Sequence, residues 1–218
     1  MMTPRVVHTL TTLSEHTYLS AIRAGMVAVV PLTIVGGLFM IVAYLPVAGW
    51  DARVAPYLPL LQVPVTATFG LLALVACFSI AYDLGRRLKQ EAIVSASLAT
   101  VIFLMLQIDV ADQTFVMDGL GSKGLFSAIL IACVSVRIQK FFTDRNMVIK
   151  LPASVPAIVY ESFVSLTPLC FLILTFWSIR FVAGVDIDQV VQAVFRPLVF
   201  ALNTLPGILV YACLVTML

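Results

Sequence analysis

The chain has 218 residues, of which 61% are hydrophobic and only 11% charged, with a mean hydropathy of +1.09. A soluble domain of this size could not be clad in polar surface from such a composition, so an integral membrane protein is expected, helical because the apolar runs are long and do not alternate. The net charge of +2, with no basic tract interleaved with aromatics, excludes a nucleic-acid partner.

Residues 1–24 are too polar for the core of a signal peptide, and no small-residue cleavage pattern follows the first apolar run, so the first span is expected to be retained. Leu10, Leu13, Tyr18 and Ile22 make this segment weakly amphipathic, and it is expected at the interface or in the cytoplasm. His8 and His16 lie here with no third ligand nearby, which argues against a metal site.

Five complete spans are predicted at about 25–46, 65–82, 92–108, 124–142 and 161–183, followed by a truncated sixth from about 201. The fold class is thus all-α and polytopic. Asp83, at the end of the second span, precedes Arg86 and Arg87 by three and four residues and reads as a solvated ion pair. The third span carries small residues at helical spacing, Ala92, Ala96 and Thr100 on one stripe with Ser95 and Ala99 beside it, which suit close helix packing or a dimer contact. Between the third and fourth spans, Gly119, Gly121 and Gly124 form a literal G-x-G-x-x-G. They precede a membrane helix and lack a βαβ setting, so a flexible helix start is expected rather than a dinucleotide site.

Pro152 and Pro156 stop helix before the fifth span and predict a structured loop on the inner side. After that span, Ile187, Val190, Val191, Val194 and Leu198 recur at helical spacing among Asp186, Asp188, Gln189, Gln192 and Arg196. This is an amphipathic linker lying either on lipid or on protein. The closing "LPGILVYACLVTML", Leu205–Leu218, is shorter than the roughly 20 residues a span needs, so the chain looks cut within it. Domains are accordingly expected as an N-terminal segment 1–24, a membrane scaffold 25–185, a linker helix 186–200 and the start of a further domain at 201–218.

With the N-terminus inside, nine Lys and Arg (Arg5, Arg23, Arg86, Arg87, Lys89, Arg137, Lys140, Arg145, Lys150) fall on that side and four (Arg53, Lys123, Arg180, Arg196) on the other, which predicts a cytoplasmic N-terminus. The span centres contain no Asp, Glu, Lys, Arg or His, so no proton relay, catalytic residue or cofactor site is expected. Cys77, Cys133, Cys170 and Cys213 each stand alone in an apolar segment and read as small buried hydrophobes.

The stretches "YLSAIRAGMVAVVPLTIVGGLF" (18–39), "TFGLLALVACFSIAYDLGRRL" (68–88), "GSKGLFSAILIACVSVRI" (121–138), "IKLPASVPAIVYESF" (149–163) and "LPGILVYACL" (205–214) resemble, in order, motifs of the enzyme IIC membrane component of bacterial sugar phosphotransferase systems, lactose and cellobiose (diacetylchitobiose) family. The resemblance implies a protein about twice as long with ten spans, in which an N-terminal scaffold forms a homodimer and a transport domain follows. It implies that a Trp and Gly-Ile-His-Gly region beyond Leu218, with a later Glu, holds the sugar for phosphorylation by the IIB partner. No sugar-binding residue is therefore carried onto these positions. The chain departs from the family pattern at Val164, where an acid is expected, and at Glu161, where a basic or polar residue is usual.

Three readings follow. The first is the scaffold half of an inner-membrane sugar permease working with IIA and IIB. The second is a membrane sensor or anchor of a signalling protein, such as a cyclic-di-GMP phosphodiesterase. The third is an inactive truncated permease.

Overall fold

The computed structural model describes residues 17–109, 114–145, 147, 157–182, 184, 189–191 and 193–195, with backbone alone for 157–165. It is helical throughout these residues, apart from an isolated bridge between Ile108 and Phe115. The elements are α1 (Thr17–Ala43), α2 (Trp50–Val54), a 3-10 turn (Ala55–Tyr57), α3 (Leu58–Phe69), α4 (Leu72–Arg87), α5 (Ala92–Leu106), α6 (Met117–Leu120), a second 3-10 turn (Ser122–Gly124), α7 (Leu125–Asp144), α8 (Ala157–Trp177) and a π-helical turn (Ser178–Val182). Thr17–Ala43, Trp50–Arg87 and Ser122–Asp144 are long and apolar enough to cross a membrane, while Ala92–Leu106 and Leu166–Val182 are shorter apolar helices.

α1 begins at Thr17, so residues 17–24 extend the first span without a break, and Tyr18 and Ile22 pack against the core. The stretch expected to connect the first two spans, 47–64, is itself helical from Trp50, and the second span expected at 65–82 instead begins within α3 and is interrupted at Gly70 and Leu71. Proline did not prevent helix in this stretch, because Pro56 and Pro59 occupy first-turn positions whose N–H groups need no helical partner. Pro64 does lie inside α3, where Thr68 Oγ1 donates to its carbonyl at 2.8 Å. The chain kinks at Gly70 and Leu71 before continuing as α4.

α3 and α4 together run antiparallel along α1, and α4 is the hub, packed against α1, α5 and α7. The hub is made of small residues. Ala73, Ala76, Cys77 and Ala81 of α4, Ala96 and Ala99 of α5, and Ala128 and Ala132 of α7 are wholly buried. Lipid is as apolar as leucine and offers helices no reason to associate, so close van der Waals packing through small residues does the work. The backbones nearly touch: a Cβ on Gly25 would come within 2.7 Å of the Ile80 nitrogen, and one on Gly85 within 2.7 Å of Ser95 Oγ.

α4 and α5, of 16 and 15 residues, rise only about 24 and 22 Å, short of the roughly 30 Å hydrocarbon thickness. Their far ends are closed by the turn from Gln107 to Gly124. The glycines of that turn, expected to give flexibility, instead permit close contact: a Cβ on Gly119 would overlap Gln107 Oε1, and one on Gly124 would overlap the Gly119 carbonyl. The missing side chain serves close packing here.

The cysteines divide. Cys77 is buried as expected and Cys133 partly so, but Cys170 is exposed on the outer side of α8, and Cys213 lies outside the described residues. In the linker, 189–191 and 193–195 are helical. Val191 is buried and Phe195 stacks on Phe126 at 4.5 Å between ring centroids, while Val190 and Val194 are exposed. Among the described residues of the linker, Val191 and Phe195 thus rest on protein, while Gln189, Val190, Ala193 and Val194 stay open.

Candidate functional site

The stripe on α5 is drawn into the interior of the chain. Ala96 is wholly buried, and Ala92 and Thr100 are partly buried, with Thr100 Oγ1 donating to the Ala96 carbonyl at 2.7 Å. Beside it Ser95 Oγ donates to Gln139 Oε1 at 2.7 Å, a buried bond that ties α5 to α7, and Cys77 Sγ lies 3.7 Å from the Ala99 carbonyl. The opposite face of α5, with Ile93, Ser97 and Val101, is open. Val94, Leu98 and Leu169 join those three around an apolar groove of about 240 Å³ between α5 and α8. The chemistry of this region is shape alone: alkyl groups and short polar side chains bonded to one another.

Asp83 departs from its expected solvated setting. Its side chain is almost buried at the end of α4, where Arg86 Nη2 donates to Oδ1 at 3.1 Å and Arg87 Nε donates to Oδ2. Arg86 stays two-thirds exposed. The carboxylate therefore holds two cations at the helix end rather than sharing water with them.

The described cations sort to the two ends of the bundle. Arg23 near the start of α1 and Arg86, Arg87 and Lys89 at the end of α4 and the turn after it share an end with Arg137, Lys140 and Arg145 in the last turns of α7 and just past it, while Arg53, Lys123 and Arg180 lie at the opposite end. Pro152 and Pro156 lie outside the described residues. Among the described residues no group of His, Cys, Asp or Glu could hold a metal.

One feature was not foreseen. Arg180, counted in the sequence only among the cations on the side opposite the N-terminus, reaches from the π-helical turn to the end of α5, donating to the Leu106 carbonyl and, at 3.0 Å, to the Ile108 carbonyl. The final carbonyls of a helix lack intrahelical partners and carry partial negative charge, so a guanidinium suits them. An arginine ending one apolar segment, with another helix closing at the same membrane depth, is the signal that could have found it.

Known proteins resemble this architecture. Residues 23–218 match the family described as Phosphotransferase system, EIIC. The chain is 35% identical over 200 residues to the PTS system cellobiose-specific EIIC component of Geobacillus stearothermophilus, covering 84% of this chain and 44% of that one. It is 34% identical to the Lichenan permease IIC component of Bacillus subtilis, over 76% of this chain and 40% of the relative. The PTS system lactose-specific EIICB component of Staphylococcus epidermidis is 30% identical over 90% of this chain and 36% of its own. Among solved structures, the crystal structure of the transporter ChbC, the IIC component from the N,N'-diacetylchitobiose-specific phosphotransferase system, superimposes with a TM-score of 0.84 at 32% identity. It covers 94% of this chain and 53% of that one. The chain thus spans less than half the length of these curated relatives.

Proposed function

Because the chain belongs to the EIIC family of the phosphotransferase system, we propose that it is the scaffold portion of an inner-membrane sugar permease whose translocation is coupled to phosphorylation of the sugar. The observation that carries this is the superposition on the diacetylchitobiose-specific component across 94% of the chain. The relatives named above are permease components, which does not favour the reading as a sensor or anchor of a signalling protein.

In this proposal the substrate is a β-linked or lactose-like disaccharide, in keeping with the cellobiose, lichenan, lactose and diacetylchitobiose systems of the relatives. IIB and IIA proteins supply the phosphoryl group from the cytoplasm. The sugar site belongs to the part of the relatives beyond the matched length, and residues 25–185 carry and position it. The cytoplasmic or interfacial N-terminal segment, expected at 1–24, runs into α1 from Thr17, while 186–200 form the linker helix and 201–218 the start of the transport domain. The end bearing Arg86, Arg87, Lys89, Arg137, Lys140 and Arg145 faces the cytoplasm, as the excess of cations there favours. Pro152 and Pro156 form a stiff loop on that side, near where IIB docks.

The scaffold works as a homodimer. Ala96 has no surface left for another subunit, so Ala92, Ala96 and Thr100 act as a packing stripe within the chain. A subunit contact of α5 falls to Ile93, Ser97 and Val101.

The test is transport. The protein from the full reading frame, reconstituted in vesicles with IIA, IIB and a phosphoryl donor, accumulates the phosphate ester of cellobiose, lactose or diacetylchitobiose. Formation of none of these esters would sink the proposal.

A further inference from the structure

α4 is enclosed by α1, α5 and α7 on most of its circumference, yet one arc is bare. Phe78 and Tyr82 are each about two-fifths exposed on that arc, with ring centroids 6.5 Å apart and planes inclined by 15°. Arg86 follows at the same four-residue step, so the three side chains lie on one helix face. Toward the helix end, the stripe passes from a hydrocarbon ring to a phenol to a guanidinium. A lipid monolayer has the same gradient, from acyl chain through the glycerol region to phosphate.

The cationic end is held in place. Asp83, itself almost buried, accepts one donor from Arg86 and one from Arg87. Each guanidinium has five N–H donors in a planar fork, so most remain for a second acceptor, and the fork matches the oxygens of a phosphate. Lys89 is exposed in the turn just beyond, and with Glu91 two residues on this sets three cations against two carboxylates. A soluble anion would satisfy the arginines but leave Phe78 and Tyr82 bare, and a neutral lipid would cover the rings but not balance the charge.

From this we propose that the open face of α4 binds an anionic phospholipid, with its phosphate at Arg86 and Arg87 and an acyl chain along Tyr82 and Phe78. The inference stands on the residues of α4 and is independent of whether the protein transports sugar.

The test uses the whole protein in mixed-lipid nanodiscs, with Tyr82→Trp as reporter and brominated lipids as quenchers. Subtracting the quenching of unaltered protein, whose Trp50 and Trp177 lie at the other end of the bundle, isolates residue 82. Brominated phosphatidylglycerol is expected to associate there more strongly than brominated phosphatidylcholine, on the order of five-fold for each cation engaged. Adding Arg86→Ala and Arg87→Ala brings the two lipids to near parity. Should that protein fail to assemble, Arg86→Gln alone, at a mostly exposed residue, reduces the preference about five-fold.

Inorganic phosphate at matched ionic strength leaves the preference unchanged. Displacement by inorganic phosphate would mean that the site takes a free anion. Absence of quenching by either lipid would mean that protein covers this face. Equal quenching by both lipids, or a preference that survives loss of both arginines, would likewise overturn the proposal.

Discussion

The hairpin of α1 and α3 and the bundle of α4, α5 and α7 are both apolar enough for a membrane, yet they are built on different terms. No residue of α3 is buried, and the second half of α1 leaves Ile34, Val35, Leu38, Met40 and Ile41 exposed. The bundle, by contrast, encloses a run of alanines, a buried Ser95–Gln139 bond and the ends of two short helices. In water this contrast would register as a difference in hydropathy. In a bilayer it lies in side-chain size and in how near one backbone comes to the next, because leaving a leucine against lipid costs almost nothing.

The sharpest way to break the comparison is to put bulk where the bundle has none. Ala96→Phe inserts a ring at a site with no free surface, and overpacking of this kind costs about 3 kcal/mol or more. We expect the detergent-solubilised protein to lose roughly 5–10 °C of thermal stability or to elute as aggregate. Elution and melting like those of the unaltered protein would show that the bundle is slack and that the contrast with the hairpin is false.

Arg180→Ala asks whether the bundle is closed at its far end by charge. Removing the guanidinium strips the last carbonyl of α5 and that of Ile108 just beyond it of their donor, and hydrogen bonds to charged groups are worth about 2 kcal/mol. Hydrogen exchange should then quicken in residues 104–109 and in the π-helical turn while α1 is unaffected. Uniform exchange through both regions would remove Arg180 from this role.

Ser95→Ala is a finer probe. It orphans Gln139 Oε1 and is expected to cost about 1 kcal/mol, with Ser95→Ala plus Gln139→Leu recovering most of it, because an unpaired buried acceptor is worse than none. A double variant less stable than the single one would refute the pairing.

What the sequence made legible follows the same division. The spans at 92–108, 124–142 and 161–183 were placed close to α5, α7 and α8, since long apolar runs need no tertiary information. The Ala92–Ala96–Thr100 stripe could be read from its spacing, but not the fact that Ala96 is used up inside the chain, which depends on where α4 lies. The helix from Trp50 to Phe69 was hidden by three prolines whose cost depends on position within a turn, and turn position is known only once the helix start is known. Ser95 and Gln139 are 44 residues apart, and Arg180 is 74 from Leu106, so no local pattern could join them. Asp83 was paired correctly with its arginines and wrongly set in water, because an i,i+4 rule reports partners and says nothing of depth.

The smallest effect belongs to the hairpin. Leu60 is more than three-quarters exposed on α3, and Leu60→Ala removes three heavy atoms from a surface that touches little of this chain. If lipid is what it faces, thermal stability should move by no more than about 0.5 kcal/mol, the range of surface substitutions that disturb no packing. The same truncation at the buried Leu84 of α4 should cost about 2–5 kcal/mol, because it opens a cavity among side chains that cannot collapse around it. A ratio of several-fold between these two leucines, identical in hydropathy, would show that packing and not apolarity separates the two regions. If Leu60→Ala were as costly as Leu84→Ala, the exposed face of α3 would be packed against protein in the membrane, and the hairpin would belong with the bundle.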